Sequence, residues 1–432
     1  MESVTLKDGT VYRHLHGPQQ GAPVVCVECG RSQVSFHCHR YRSVEHPDPD
    51  YPCYLVVKLS KYRCECEDCP RKYFTAPVAE VLPYAHTSAR LQQTAKELYR
   101  GGKEALRGVQ GRMRSLFHTS TGKSSILRWH QGDLAQDYPH PERLEFSKVL
   151  CIDEVYDQVE GKRQPIFTCV DPISDITVRI LVKSADAEQL AAAMEQLKAL
   201  GADPKVVVSD LWTAYPEALR KVWPKAERQL CWFHVQQWVL RKLAKLLKEY
   251  GRSLPEQDRK TLNRARFALL SSPEHQEKLS EKARAALAKA WELIAGSIVE
   301  EALELRNDMR ALVNESETRT DATRRFDTLR SHWPERFRPW SWRPGEKLPE
   351  PKVGKAEGAE GLHGYLEEIM AFFVRHFEMM ITYLGHTDVP RTNNHAERAN
   401  RRYRAIARPR YGWKSSHGLK AFLITLQGFD ST

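Results

Sequence analysis

The sequence predicts an α/β protein: a mixed sheet with a large helical insertion, preceded by a metal-bound ribbon and a small helical domain. Three observations predict it. Cysteines crowd the first seventy residues, a run of β-rich segments and one helix fills 150–215, and a long amphipathic helical pattern follows to about residue 383. With 432 residues, 41% hydrophobic content and ten tryptophans, the chain has material for several packed domains, and global disorder is excluded. The net charge is +11. Residues 85–130 and 391–432 each carry nine Lys/Arg against two acids, so these two segments hold the whole basic excess. Such localisation suits two contacts to a polyanion.

Seven of the ten cysteines lie between Cys26 and Cys69. Two CxxC pairs, Cys26/Cys29 and Cys66/Cys69, have the spacing of a tetrahedral Zn²⁺ site that stabilises a zinc ribbon with little core of its own. Cys64 in "CECEDC" is a rival for the third position, and His37, Cys38 and His39 also compete. The first domain is assigned to 1–80.

From Thr87 the pattern turns helical. "TSARLQQTAKELYRGG" opens on capping residues and stops at a Gly pair. "EALRGVQGRMRSLFHTSTGKSSILRWHQG" then reads as helix, polar turn, helix. The second helix presents Lys123, Ser124, Ser125 and Arg128 while Ile126, Leu127 and Trp129 pack it, the pattern of a DNA-reading helix-turn-helix over 81–145. "STGKSS" is not a phosphate-binding loop, because Phe117 stands where that motif needs glycine and no strand precedes it.

"KVLCIDEVYD", "QPIFTCVDP" and "ITVRILVKS" are β-rich; "DAEQLAAAMEQLKALG" is a helix with a glycine stop, and "PKVVVSDLWTAY" is a fourth strand. Three strands, a helix and a strand is the chain order of a ribonuclease H-like core, assigned to 146–240 and completed by 386–432, with the helical insertion at 241–385. Within the insertion, the prolines and glycines of "WPERFRPWSWRPGEKLPEPKVGKAEGAEG" predict an exposed loop. The apolar run Tyr365–Leu384 is interrupted by Glu367, Glu368, Arg375, His376 and Glu378, which excludes a membrane span. No signal peptide is visible, so a cytoplasmic location is expected.

Asp153 and Asp210 each follow a hydrophobic strand, where carboxylates from separate elements can converge on hard divalent ions. Glu397 is the single acid among eight basic side chains between Arg391 and Lys414. A helix "HAERANRRYRAI", capped by Asn393 or Asn394, aligns it with Arg401 and Arg404. The next strand residue after Asp153, Glu154, points to the opposite face.

Together, Asp153 in "CIDEVYD", Asp210 in "VVSDLWTAY" and Glu397 in "TNNHAERANRRYRAI" resemble the bacterial insertion-sequence DDE transposases, and most closely the ISL-three type with an N-terminal zinc ribbon and helix-turn-helix. The resemblance covers nearly the whole chain. It implies a Mg²⁺ (or Mn²⁺) pair on Asp153, Asp210 and Glu397, and double-stranded DNA partners: the element's terminal inverted repeats and its target. It also implies a homo-oligomer on DNA, and water-dependent cleavage followed by strand transfer. "CWFH" (Cys231, His234) resembles a C-x-x-H signature of related groups; with no partner pair in the sequence it reads as structural or DNA-positioning rather than zinc-binding. The rival readings are a DNA-binding regulator that no longer cuts and a ribonuclease H-like nuclease without strand transfer. The intact acidic set argues against the first.

Overall fold

The computed structural model describes residues 2–15, 24–82, 84–101, 104–135, 143–332, 359–410 and 412–427. Strands β1 (Glu2–Lys7) and β2 (Thr10–Leu15) form a hairpin at Asp8–Gly9, both with positive φ, as a two-residue turn of that hand requires. β3 (Val34–His46), β4 (Cys53–Cys64) and β5 (Tyr73–Thr75) complete a sheet ordered β1-β2-β4-β3, with β5 also on β4. Its alternating pattern buries Val44, Leu55 and Val57 on one face.

Three helices follow: α1 (Ala89–Gly101), α2 (Leu106–Phe117) and α3 (Lys123–Ala135). The Ser88 hydroxyl accepts the Leu91 N–H at 3.2 Å and so caps α1, as the sequence predicts. Leu91, Val109, Met113 and Ile126 form the small core they share. Two contacts fix this unit to its neighbours. Glu45 at the end of β3 accepts the backbone N–H of Ser120 at 3.1 Å. On the other side, the Arg410 guanidinium lies over the rings of Tyr99 and Phe422, 4.9 and 4.4 Å from their centroids.

The second sheet comprises β6 (Val149–Val159), β7 (Lys162–Val170), β8 (Thr177–Leu181), β9 (Val206–Ser209) and β10 (Glu227–Leu230), with α4 (Ala187–Ala199) before β9 and α5 (Tyr215–Val222) after it. The order is β10-β9-β6-β7-β8. The β6–β7 and β7–β8 pairs are antiparallel, β6–β9 and β9–β10 parallel. This is the ribonuclease H-like arrangement that the chain order predicts. The short fifth strand, ERQL, carries too little apolar periodicity to be read from sequence.

The insertion runs through α6 (Trp232–Arg252), α7 (Glu256–Leu270), α8 (Pro273–Gln276), α9 (Glu281–Ile294), α10 (Ile298–Glu315), α11 (Arg319–His332) and α12 (Ala359–Met380). What reads as one amphipathic stretch from residue 281 is two helices, parted at Gly296 (φ +70°) and restarted by the Ser297 cap on Val299. Residues 333–358 of the Pro/Gly-rich run lie outside the described residues; its last three residues begin α12. Among the described residues no helix is long and apolar enough to cross a membrane.

The chain then returns to the sheet through α13 (Asn394–Ala407) and α14 (Ser416–Gln427). Leu150, Ile152 and Val207 pack against α4 and α5 on one face. On the other, Cys151 and Val208 meet Ala396 and Ala399 of α13, while Val155 and Val159 meet Tyr403 and α14.

Candidate active site and metal centres

Asp153 and Asp210 owe their proximity to strand register. β6 and β9 run parallel with Cys151 opposite Val208; two residues further along, Asp153 and Asp210 stand level. Adjacent strands lie about 4.8 Å apart, so the carboxylates are neighbours. Asp153 is not at the end of its strand: β6 continues to Val159 because β7 keeps pairing with it, and Asp153 marks the point where β9 stops. Both aspartates follow the alternation of Cys151 and Val208 onto the α13 face. Glu154 lies on the opposite face beside the fully buried Tyr215, and burial pushes its carboxyl up to about 8.

Burial also pushes Asp153 up to about 6, with the negative charge of Asp210 adding to it and the Asn400 hydrogen bond opposing it. A carboxylate whose burial penalises its ionisation, as at Asp153, fits a hard divalent cation.

Glu397 comes from the first turn of α13, and three buried side chains fix that helix to the sheet. Asn393 occupies the N-cap position, but its side chain makes no cap. Its Nδ2 donates to the Ile152 carbonyl at 2.7 Å, one residue before Asp153, and its backbone N–H donates to Cys231 Sγ at 3.1 Å. Arg179 on β8 donates to the Ala399 carbonyl at 3.1 Å. Asn400, 1% exposed, donates to Asp153 Oδ2 at 2.9 Å and accepts from Thr168, the residue facing Asp153 on β7, at 2.7 Å. Across the sheet, Arg228 donates to the Ser209 hydroxyl at 2.8 Å and to the Asp210 carbonyl at 2.6 Å. Glu397 Oε1 is 3.7 Å from His234 Nδ1 near the start of α6. The neighbouring Cys231, then the charges of Asp210 and Glu397, push that imidazole up to about 9 against the effect of burial. Arg401 and Arg404 are exposed on the outer side of α13.

The N-terminal cysteines gather, but not in the set the spacing suggests. The sulfurs of Cys26, Cys29, Cys64 and Cys69 all lie within 4.8 Å of one another, with Cys26–Cys69 and Cys29–Cys64 at 3.8 Å. A tetrahedron with metal–sulfur bonds of about 2.3 Å has edges of about 3.8 Å, so this set fits Zn²⁺. Cys66 is displaced from the predicted set. It heads the tight turn closed by Cys69 N–H to the Cys66 carbonyl, and its sulfur accepts from Arg31 at 3.2 Å. Cys64, the last residue of β4, takes the third place. His37 and His39 stay on exposed β3, against Tyr73 and Ser60. On α3, Lys123 and Arg128 are exposed and Ser125 is half-buried, while Ile126 is buried in the helical core.

A family model described as transposase, of the DDE ISL3 type, matches residues 150–423, more than half of the chain and the span containing all three acids. The chain belongs to this transposase family. No curated protein matches it. Among solved structures, a chain of the simian T-cell lymphotropic virus intasome in complex with PP2A regulatory subunit B56 gamma is similar at 11% identity and a TM-score of 0.18. That alignment covers 38% of this chain and 65% of the other. A chain of the Drosophila P element transposase strand transfer complex is similar at 12% identity and a TM-score of 0.37, covering 79% and 90%.

In this transposase-family chain, sequence reasoning singles out Asp153, Asp210 and Glu397 as candidates but not the residues that hold their elements in place. Asn400 had a readable signal: it falls on the buried stripe Ala396, Asn400, Tyr403, Ala407, where a lone polar residue needs a partner. Asn393 and Arg179 had none, because their partners are backbone groups of elements distant in sequence; Arg228 had none either, because its partners, the Ser209 hydroxyl and the Asp210 carbonyl, lie on a neighbouring strand.

Proposed function

We propose that this protein binds the terminal inverted repeats of its element and catalyses metal-dependent DNA cleavage and strand transfer, with Asp153, Asp210 and Glu397 as the catalytic carboxylates. The observation that carries the reading is that Asp153 on β6 and Asp210 at the end of β9 stand level on the sheet face covered by α13, the helix whose first turn carries Glu397. Mg²⁺ or Mn²⁺, held by these carboxylates, would supply charge stabilisation of the attacking and leaving oxygens in phosphoryl transfer. Asn400 orients Asp153, and Arg228 fixes the chain at Asp210. The exposed Arg401 and Arg404 hold phosphates, and Lys123, Ser125 and Arg128 read base edges. Zn²⁺ on Cys26, Cys29, Cys64 and Cys69 stabilises the first domain. The division into ribbon, reading helices, split catalytic core and insertion follows the same reading, as does assembly of a homo-oligomer on paired ends. The test is conversion of a labelled terminal-repeat duplex in Mg²⁺. Nicked ends and joined products support the reading, nicking without joining leaves a nuclease, and binding without nicking leaves a regulator.

Two expected results separate the roles. Asn400→Ala should lower cleavage about ten- to a hundredfold, because Asp153 loses the donor that orients it. Repeat binding, followed by gel shift, should be unchanged; wild-type cleavage would remove Asn400 from the site's support. Secondly, Arg401→Ala and Arg404→Ala should weaken binding to all duplexes alike and flatten the slope of log affinity against log salt by about one for each arginine removed. Lys123, Ser125 and Arg128 variants should instead narrow the gap between repeat and random DNA. Salt titrations on both duplexes check this, and a loss of specificity in Arg401→Ala at unchanged slope would reverse the two assignments.

A further inference from the structure

Glu397 has a second set of neighbours. Cys231 directly precedes α6 and His234 stands in its first turn. The Cys231 sulfur, a ring nitrogen of His234 and a carboxylate oxygen of Glu397 all lie within 4.8 Å of one another. His234 Nδ1 and Glu397 Oε1 are sealed from solvent and neither has a hydrogen-bond partner, although they stand 3.7 Å apart. Cys231 is fully buried, and its sulfur is already oriented by the Asn393 N–H. Two orphaned polar atoms facing a positioned sulfur leave a place that a ligand of the right chemistry would satisfy.

One thiolate, one imidazole and one carboxylate, with a fourth position left for water, is a donor set for zinc. Magnesium prefers oxygen and gains little from sulfur or imidazole, so this set discriminates between the two ions. We propose that Cys231, His234 and Glu397 form a Zn²⁺ site separate from the hard-ion site but sharing Glu397 with it. Binding takes the Cys231 thiolate and the neutral His234 imidazole, and the displaced protons pass to solvent. The consequence rests on the reading of Glu397 as the third catalytic carboxylate. Zinc held here ties that carboxylate to α6 and withholds it, so that zinc inhibits Mg²⁺-dependent cleavage. The partner that C-x-x-H lacks in the sequence is then the catalytic glutamate itself.

The full chain, carrying one equivalent of zinc in its four-cysteine site, is titrated with Co²⁺. A further equivalent should bind with a thiolate-to-cobalt absorption band. Cys231→Ser should lose the band, and His234→Gln should weaken the uptake by about tenfold or more. Serine keeps an acceptor for the Asn393 N–H, and equal melting temperatures establish that each variant is folded. No band in the wild-type chain, or a band that persists in Cys231→Ser, overturns the site. In parallel, end cleavage at fixed Mg²⁺ is followed against free Zn²⁺, each chain relative to its own zinc-free rate. The inhibition midpoint should rise about tenfold or more in Cys231→Ser; equal inhibition in both chains overturns the sharing of Glu397. Cobalt uptake as expected with cleavage indifferent to zinc upholds the metal site and removes Glu397 from catalysis.

Discussion

Asp153→Asn, Asp210→Asn and Glu397→Gln are each expected to lower end cleavage by about a thousandfold, while binding to terminal-repeat DNA stays within about twofold of wild type. Each substitution keeps the size of the side chain and removes only a charge. The positive groups proposed to hold DNA are other side chains, the exposed arginines of α13 and the basic residues of α3, so binding and chemistry should separate. Asp153→Asn carries an internal control. Burial and Asp210 push the Asp153 carboxyl up to about 6, above its ordinary value, so without metal its ionisation costs the folded state stability at pH 7.5. That cost is relieved as pH falls through about 6 toward the ordinary carboxylate value. Metal-free Asp153→Asn should therefore melt no lower than wild type at pH 7.5, and any advantage should shrink by pH 5. An inactive variant that melts well below wild type would mean that Asp153 serves the fold. Wild-type cleavage by any of the three would remove that residue from the site.

How much of this site was legible in the sequence depends on the range of the interactions. Strands β6, β7 and β9 announce themselves through local hydrophobic runs, and the parallel pairing of β6 with β9 then brings Asp153 beside Asp210. Glu397 stands out as one acid in a basic segment. The supporting shell is different in kind. Thr168 and Asn400 meet across 232 positions and Asn393 reaches Ile152 across 241, and no local pattern encodes such pairings. The meeting of Cys231 and His234 with Glu397 is also hidden, because the long helical insertion separates them in the chain. Where two local candidates differ only in geometry, spacing has no power to choose. Cys64 and Cys66 are two residues apart, and the choice depends on where β4 ends and where Arg31 lies.

That choice leads to the other large effect. Cys64→Ser should cost the protein its zinc and the fold of its N-terminal sheet, whereas Cys66→Ser should keep both. Among the described residues the sheet buries few apolar side chains: Phe74 and Ala76, Val11, and a cluster of Val44, Leu55, Val57 and Val81. A module with so small a core depends on a metal for much of its folding free energy. Serine at 64 leaves three thiolates and an incomplete tetrahedron; serine at 66 alters only the acceptor of the Arg31 hydrogen bond. The damage should also spread in one direction. Glu45 anchors the turn before α3, so loss of the sheet should weaken repeat recognition. The catalytic sheet has separate cores against α4, α5, α13 and α14 and should melt as before. Metal analysis with two-transition melting and limited proteolysis of both variants checks this. Retention of zinc by Cys64→Ser and its loss from Cys66→Ser would return the third position to Cys66, and would mean that the turn at Cys66–Cys69 rearranges when metal binds.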